Sequence, residues 1–246
     1  MRTQKKGIFV TGTGTGVGKT LISGAIVRAL VNKGYDCGVM KPIESGCDVG
    51  KRGLQPRDAL YLQQAAKLQD EIELINPCRF QAPVAPYAAV LQGEPDVSWP
   101  LIEDCHRQLS ERHEAILIEG AGGLMVPIRA DKDMSELAHL FGFPVLLVAQ
   151  SGLGTINHVL LSLEYGKMRG LSFLGIVLNQ STEQKDSSEA SNIKIIREKT
   201  DLPVMSFPYI KSKNDDATVI SESAALLEGH PLMGVILTLL SLRSSG

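Results

Sequence analysis

Nine residues near the start of the chain, Gly12 to Thr20 (GTGTGVGKT), combine alternating glycines with a terminal Gly-Lys-Thr. A run of this kind can cradle phosphates: glycines let backbone N–H groups approach closely, and a helix start presents further N–H groups. Lys19 would reach the β- and γ-phosphates and the Thr20 hydroxyl would join a magnesium ion. The count is unusual. The common phosphate loop has four residues between its first glycine and Gly-Lys-Thr, whereas five, Thr13 to Val17, stand here. A dinucleotide fingerprint fails on spacing, because its last glycine would fall on Val17 or Lys19.

Other chemistry-bearing residues follow short apolar runs. Lys41 in MKPIESG offers positive charge where negative charge gathers during phosphoryl transfer; on this stretch alone it reads equally as a surface lysine. Ser45 is a hydrogen-bond donor a few residues on. Glu119 ends the run AILIE ahead of three closely spaced glycines, a pattern in which a strand-end carboxylate holds magnesium. Asp58, in QPRDAL, reads either as a metal-holding acid or as an acid favoured at a helix N-terminus. The segment AQSGLGTINHV leads through glycines into a helix near Thr155, suited to an anion such as a carboxylate. Asn179 carries an amide that can both donate to and accept from a nucleotide base. Pro208 and Tyr209 are positioned to flank a base or a substrate. His158 reads as an ordinary helix histidine, and His106, His113 and His139 show no metal spacing.

These residues need a frame that brings them together. Strands are expected at Gly7–Thr11, Gly38–Lys41, Ala115–Glu119, Val145–Ala149, Leu174–Asn179 and Val204–Phe207, mostly as continuous apolar runs, the mark of strands covered on both faces. Helices are expected at Lys19–Lys33, Arg57–Lys67, Pro100–Arg112, Ser135–Phe141, Thr155–Arg169, Ser188–Lys199, Ala217–Leu227 and Leu232–Leu242. The alternation predicts an α/β fold: a doubly wound, mostly parallel sheet with helices on both faces, as in P-loop NTPases. Ligands of such sheets bind beyond the carboxyl ends of the strands, so the residues that follow each strand are the places to look. Residues 76–100 hold five prolines and are expected to form an ordered loop over one end of the sheet.

Composition sets the bounds. With 246 residues, 43% hydrophobic and 21% charged, residues 1–246 are expected to form a single P-loop domain. A net charge of -2 without a large basic block argues against nucleic acid. The apolar runs at Ile8–Val10 and Val235–Leu240 are too short for a signal peptide or a membrane span, so a cytoplasmic protein with four free thiols is expected.

Taken in order, VTGTGTGVGKT, GVMKPIESG, LQPRDAL, INPCRFQAPVAP, ILIEGAGGLMVPI, PVLLVAQSGLGTINH and GIVLNQ closely resemble dethiobiotin synthetases, from about Ile8 to Tyr209. The lengthened loop is a trait of that family. The resemblance implies an ATP- and Mg2+-dependent ligase that joins CO2 to 7,8-diaminopelargonic acid and closes a ureido ring through a carbamate and its mixed anhydride with phosphate. It implies that Gly16, Val17, Gly18, Lys19, Thr20 and Leu21, with Asn179 and Pro208, hold the nucleotide. Thr20, Asp58 and Glu119 would hold magnesium, and Lys41, Lys19 and Thr15 would act on the transferred group. Ser45 and Gly122 would contact the substrate, with Gly154, Thr155 and Asn157 supplied by the second subunit of a homodimer. The chain departs from the pattern at Gly14 and Gly16, where members often carry acidic residues. Two rivals are weighed. A partition or division-site ATPase carries a lysine five places before the loop lysine, where Gly14 stands here. A glutamine-dependent amidoligase needs a glutaminase domain, for which no room remains.

Overall fold

A computed structural model of the chain describes residues 6–240 apart from 52, 185 and 212–214. The six expected strands are all present: β1 (Lys6–Gly12), β2 (Cys37–Met40), β3 (Ala115–Gly123), β4 (Val145–Gln150), β5 (Phe173–Asn179) and β6 (Val204–Phe207). They form one sheet in the spatial order β6-β5-β4-β1-β3-β2, and every neighbouring pair is parallel. The chain lays β2 and β3 on one side of β1 and then crosses to β4 on the other. This reversal beside β1 opens a crevice at the carboxyl ends of the strands.

The helices are α1 (Lys19–Asn32), α2 (Arg57–Ala66), α3 (Ile72–Ile75), α4 (Pro86–Leu91), α5 (Trp99–Arg112), α6 (Met134–Phe141), α7 (Thr155–Met168), α8 (Glu189–Lys199), α9 (Asp216–Glu228) and α10 (Pro231–Leu240). Alternate residues of each strand feed opposite cores. Ile8, Val10, Leu146 and Val148 pack under α1, α2, α9 and α10. On the other face, Phe9 and Val145 pack with α5 and α6, and Leu147 and Ala149 with α7 and α8. Each fully buried side chain of this size contributes about 1.5–3 kcal/mol, and burial on both faces is why the strands read as unbroken apolar runs.

The two last helices gain a task that the sequence left open. Ile220, Ala224 and Leu227 of α9 and Leu232, Met233 and Ile236 of α10 are buried in the same core as α1. α9 and α10 meet at 87°, and no single described helix is long and apolar enough to cross a membrane. The end of the expected Leu232–Leu242 helix lies outside the described residues.

One expectation is corrected. Residues 76–100 are not a plain loop: Cys78–Phe80 is a short strand paired in parallel with Ile43–Ser45, followed by α4 and the first turn of α5. The prolines are compatible with this because Pro86 and Pro100 sit in the first turns of α4 and α5, where no intrahelical donor is needed. The strand itself is only three residues long, too short to show a periodicity.

Candidate active site

The phosphate loop lies between β1 and α1. Gly18, the N-cap of α1, has φ 95° and offers no side chain to the amides of the first turn, which are left free for an anion. Its missing side chain is required by packing as well, since a Cβ there would collide with the Asn179 side-chain amide. Lys19 is buried at the base of the loop and donates to the Gly14 carbonyl at 2.9 Å. Burial, reinforced by the charge of Lys41, pulls its ammonium pKa down to about 8.

Strand register builds the second half of the site. Met40 of β2 stands opposite Ile118 of β3, so the next residues, Lys41 and Glu119, come level at the carboxyl end. The Lys41 ammonium donates to Glu119 Oε1 at 2.6 Å and pairs with Asp58 Oδ2 at 3.0 Å. Lys41 is 3% exposed and Glu119 fully buried, which excludes the reading of Lys41 as a surface lysine. Burial alone would lower the Lys41 pKa, but the two carboxylates outweigh it and hold the ammonium charged. Burial would likewise raise Asp58, yet Lys41 keeps its carboxyl below the usual range. Thr20 donates its hydroxyl to the same Glu119 Oε1 at 2.9 Å, while Glu119 Oε2 is buried without a partner.

Two supports come from residues that motif reading passed over. Asn76, fully buried, donates its side-chain amide to the Lys41 carbonyl at 2.5 Å, and the Lys41 N–H donates to the Ile75 carbonyl at 2.8 Å. Glu44 accepts from the Asp58 and Ala59 N–H groups at 2.9 and 3.1 Å. Burial and the Asp58 charge push its carboxyl up to about 7, against the pull of those two N–H groups.

These groups line a cleft of about 640 Å3. Thr15, Gly16, Gly18, Lys19, Thr20, Lys41, Ser45, Asp58 and Gly122 are all in its wall, and Glu119 joins them through Thr20 and Lys41. The Ser45 hydroxyl is buried and unpartnered there. Pro83 to Pro86, a stretch for which spacing gave no role, also line the cleft. Other expected residues lie elsewhere. Val17 is packed in the core, and Leu21 lines a neighbouring hollow with Tyr61 and Asp216. Asn179 sits behind the loop, donating to the Val17 carbonyl at 3.0 Å while its Oδ1 is buried without a partner. Pro208 is exposed just past β6. Gly154, Thr155 and Asn157 stand at the start of α7 beyond β4 and do not line this chain's cleft.

The donors at the cleft floor are oxygens only: the Thr20 hydroxyl and the carboxylates of Asp58 and Glu119. That set, with one buried carboxylate oxygen left over, fits Mg2+, which takes few protein ligands and completes its shell with water and phosphate. Among the described residues no cluster of three or more His, Cys, Asp or Glu side chains forms a self-sufficient metal cage.

Comparison with known proteins gives three results. A family model described as an AAA domain matches residues 6–215. An ATP-dependent dethiobiotin synthetase from Anaeromyxobacter sp. (strain K) is 44% identical over 187 residues, covering 76% of this chain and 82% of the relative. Another from Thermodesulfovibrio yellowstonii is 37% identical over 222 residues, covering 86% and 92%. Among solved structures, the MinC:MinD cell division protein complex of Aquifex aeolicus superposes with a TM-score of 0.55 at 13% identity, covering 96% of this chain and 94% of that one. A ParA family ATPase from Chlorobium tepidum TLS gives 0.51 at 15% identity, covering 98% and 99%. At such identities the structural likeness speaks for the P-loop NTPase fold alone.

Proposed function

The chain belongs to the ATP-dependent dethiobiotin synthetases, ligases of biotin biosynthesis, and from that premise we propose that it closes the ureido ring of dethiobiotin from 7,8-diaminopelargonic acid, CO2 and ATP. The observation that carries the reading is the buried Lys41, held 2.6 Å from Glu119 and 3.0 Å from Asp58 beside a phosphate loop. A ligase of this kind must hold two anions, a carbamate and a triphosphate, close enough to react, and binding them in one cleft supplies that proximity.

The reaction runs in three steps. One amine of the substrate adds to CO2, giving a carbamate and releasing a proton. A carbamate oxygen then attacks the γ-phosphorus of ATP, and the bond to ADP breaks. The second amine attacks the carbamate carbon and loses a proton, phosphate leaves, and the ring is closed. Lys19 and the free N–H groups at the start of α1 bind the β- and γ-phosphates. Lys41, kept charged by its two carboxylates, faces the charge that develops between carbamate and γ-phosphoryl group. Thr15 lies beside Gly122 across the cleft, its hydroxyl 3.6 Å from where a Cβ at Gly122 would stand, so that glycine leaves room for the transferred group. Ser45 offers its unpartnered hydroxyl to the carbamate end of the substrate. When bound at Thr20, Asp58 and Glu119, Mg2+ supplies a positive charge against the triphosphate.

Two further assignments complete the site. The orphan Oδ1 of Asn179 is an acceptor for the amino group of adenine, with Pro208 flanking the ring and Leu21 on the adjoining side. The start of α7 receives the substrate carboxylate of a second copy of the chain. Gly154 caps that helix with φ 91° and no side-chain bond, and the Thr155 hydroxyl is buried without a partner. Because these groups lie outside their own chain's cleft, a homodimer is needed to complete it. The enzyme is accordingly placed in the cytoplasm, where its small-molecule substrates are free, with no role for nucleic acid or membrane. A partition-type switch finds no support beyond the fold, since Gly14 has no side chain and its carbonyl is used by Lys19.

The direct test is incubation of the purified protein with ATP, Mg2+, labelled bicarbonate and 7,8-diaminopelargonic acid. Acid-stable label that requires both ATP and the diamine is the expected result. ATP hydrolysis without stable label would sink the proposal.

A further inference from the structure

We propose that Glu44 is a positioning residue that holds Asp58 in place for Mg2+ by capping the first turn of α2 from a neighbouring strand. For its link to the metal the inference rests on the ring-closure reading above. The first-turn amides of a helix need acceptors from outside the helix. At α2 the N-cap is Pro56, which provides no side-chain hydrogen bond. Glu44 fills that place across the cleft wall, one carboxylate oxygen on the Asp58 N–H at 2.9 Å and the other on the Ala59 N–H at 3.1 Å.

The clamp is stiff at both ends. Glu44 is 5% exposed and lies in the strand Ile43–Ser45, opposite Arg79 of the strand Cys78–Phe80. Its neighbour Ser45 and its second-next neighbour Pro42 belong to the same short connection from Lys41, so one rigid segment carries Lys41, Glu44 and Ser45 into the cleft. At the other end, the N–H that Glu44 holds belongs to Asp58 itself. With its main chain fixed, Asp58 has only two side-chain torsions left, and its carboxylate meets Lys41 at 3.0 Å. A cap serving the helix alone would not need a carboxylate buried beside Asp58, where like charges repel.

The test uses the full chain and the variants E44A, E44Q, D58N and the E44A/D58N pair. Three readouts are taken: turnover, ADP affinity with and without Mg2+ by calorimetry, and backbone amide exchange of Asp58 and Ala59 in metal-free protein. We expect E44A to speed exchange at both amides and to weaken the Mg2+-dependent part of ADP binding and turnover by ~10- to 100-fold, the range for groups that orient metal-binding residues. Metal-free ADP affinity, set by the phosphate loop, should stay as in the wild type. E44Q keeps one acceptor oxygen and should fall between, and in the D58N background E44A should add nothing further. An equal loss from E44A with and without Asp58, or an unchanged Mg2+ dependence, overturns the proposal. If wild-type protein fixes no label from bicarbonate, the ring-closure reading fails, while the Mg2+-ADP titration and amide exchange still decide the role of Glu44.

Discussion

Strands β2 and β3 lie side by side and carry a charged cluster at each end. At the carboxyl end Lys41, Glu119 and Asp58 meet. At the amino end His113 places its two ring nitrogens 2.7 Å from Asp36 and 2.9 Å from Asp70, and Arg112 donates to Asp70 at 2.7 Å and Glu71 at 2.8 Å. The amino-end cluster spends its bonding capacity on itself: it ties the chain before β2 to the end of α5 and to the turn ahead of α3. The carboxyl-end cluster does not. Glu119 Oε2, behind the cleft residues Thr20 and Lys41, and the Ser45 hydroxyl, in the cleft wall, are both buried without partners. Buried polar atoms left unpaired cost stability, so a fold tolerates them where a ligand will use them. Two networks of similar composition thus differ in leftover valence: one is closed on itself, and the other keeps bonding capacity beside a cleft.

The sharpest way to break this comparison is at Lys41. Lys41→Gln should lower turnover by about 10^2- to 10^3-fold, the scale for removing one preorganised charge from a reacting centre, with much less change in ATP affinity. Steady-state kinetics beside ATP calorimetry would show it; turnover near the wild type would mean the ammonium serves only to neutralise Glu119. Next in size is Glu119→Gln. It should raise the Mg2+ concentration needed for half-maximal activity at least about tenfold, and an unchanged metal titration would return Glu119 to a structural role.

At the amino end the expected pattern reverses. His113→Leu should leave turnover intact but cost about 2–3 kcal/mol through lost hydrogen bonds to charged groups, which for a chain of this size lowers the melting temperature by roughly 5–10 °C. A drop in turnover without a change in melting would place this cluster in the functional machinery after all. The smallest effect concerns acid. Burial would raise the Asp70 carboxyl, but the hydrogen bonds from Arg112 and His113 outweigh it and hold it below its ordinary value of 3.8. Its contribution is therefore complete above that pH and is lost as pH falls through the lower, folded-state value. Asp70→Asn should flatten that part of the acid limb in a pH series of melting curves; an unaltered limb would assign acid sensitivity elsewhere.

Much of this frame was legible in the residues. All six sheet strands read correctly because burial on both faces forces unbroken apolar runs. Seven of the longer helices read within a few residues at both ends, the eighth at its start, because each has an apolar face of its own. The phosphate loop and Glu119 stood out by their place after apolar runs, whereas Lys41, Ser45 and Asp58 read ambiguously on their own stretches and were singled out through the family resemblance. The structure brings Lys41, Ser45 and Asp58 to the wall of one cleft. Glu44 and Asn76 were passed over although Glu44 stands inside a quoted motif. Their partners are backbone groups, Asp58 N–H and Ala59 N–H for one and the Lys41 carbonyl for the other. A backbone partner leaves no residue type to recognise. His113 was missed for a related reason: its carboxylates are 77 and 43 positions away.

The order of elements and the phosphate loop were thus readable along the chain, because hydrophobic period and glycine placement are local properties. The burial of Lys41, its levelling with Glu119 and the approach of Asp58 to Lys41 were settled by the packed fold alone. Those facts depend on the register between β2 and β3 and on how α2 docks beside them, and register is a relation between segments far apart in the chain.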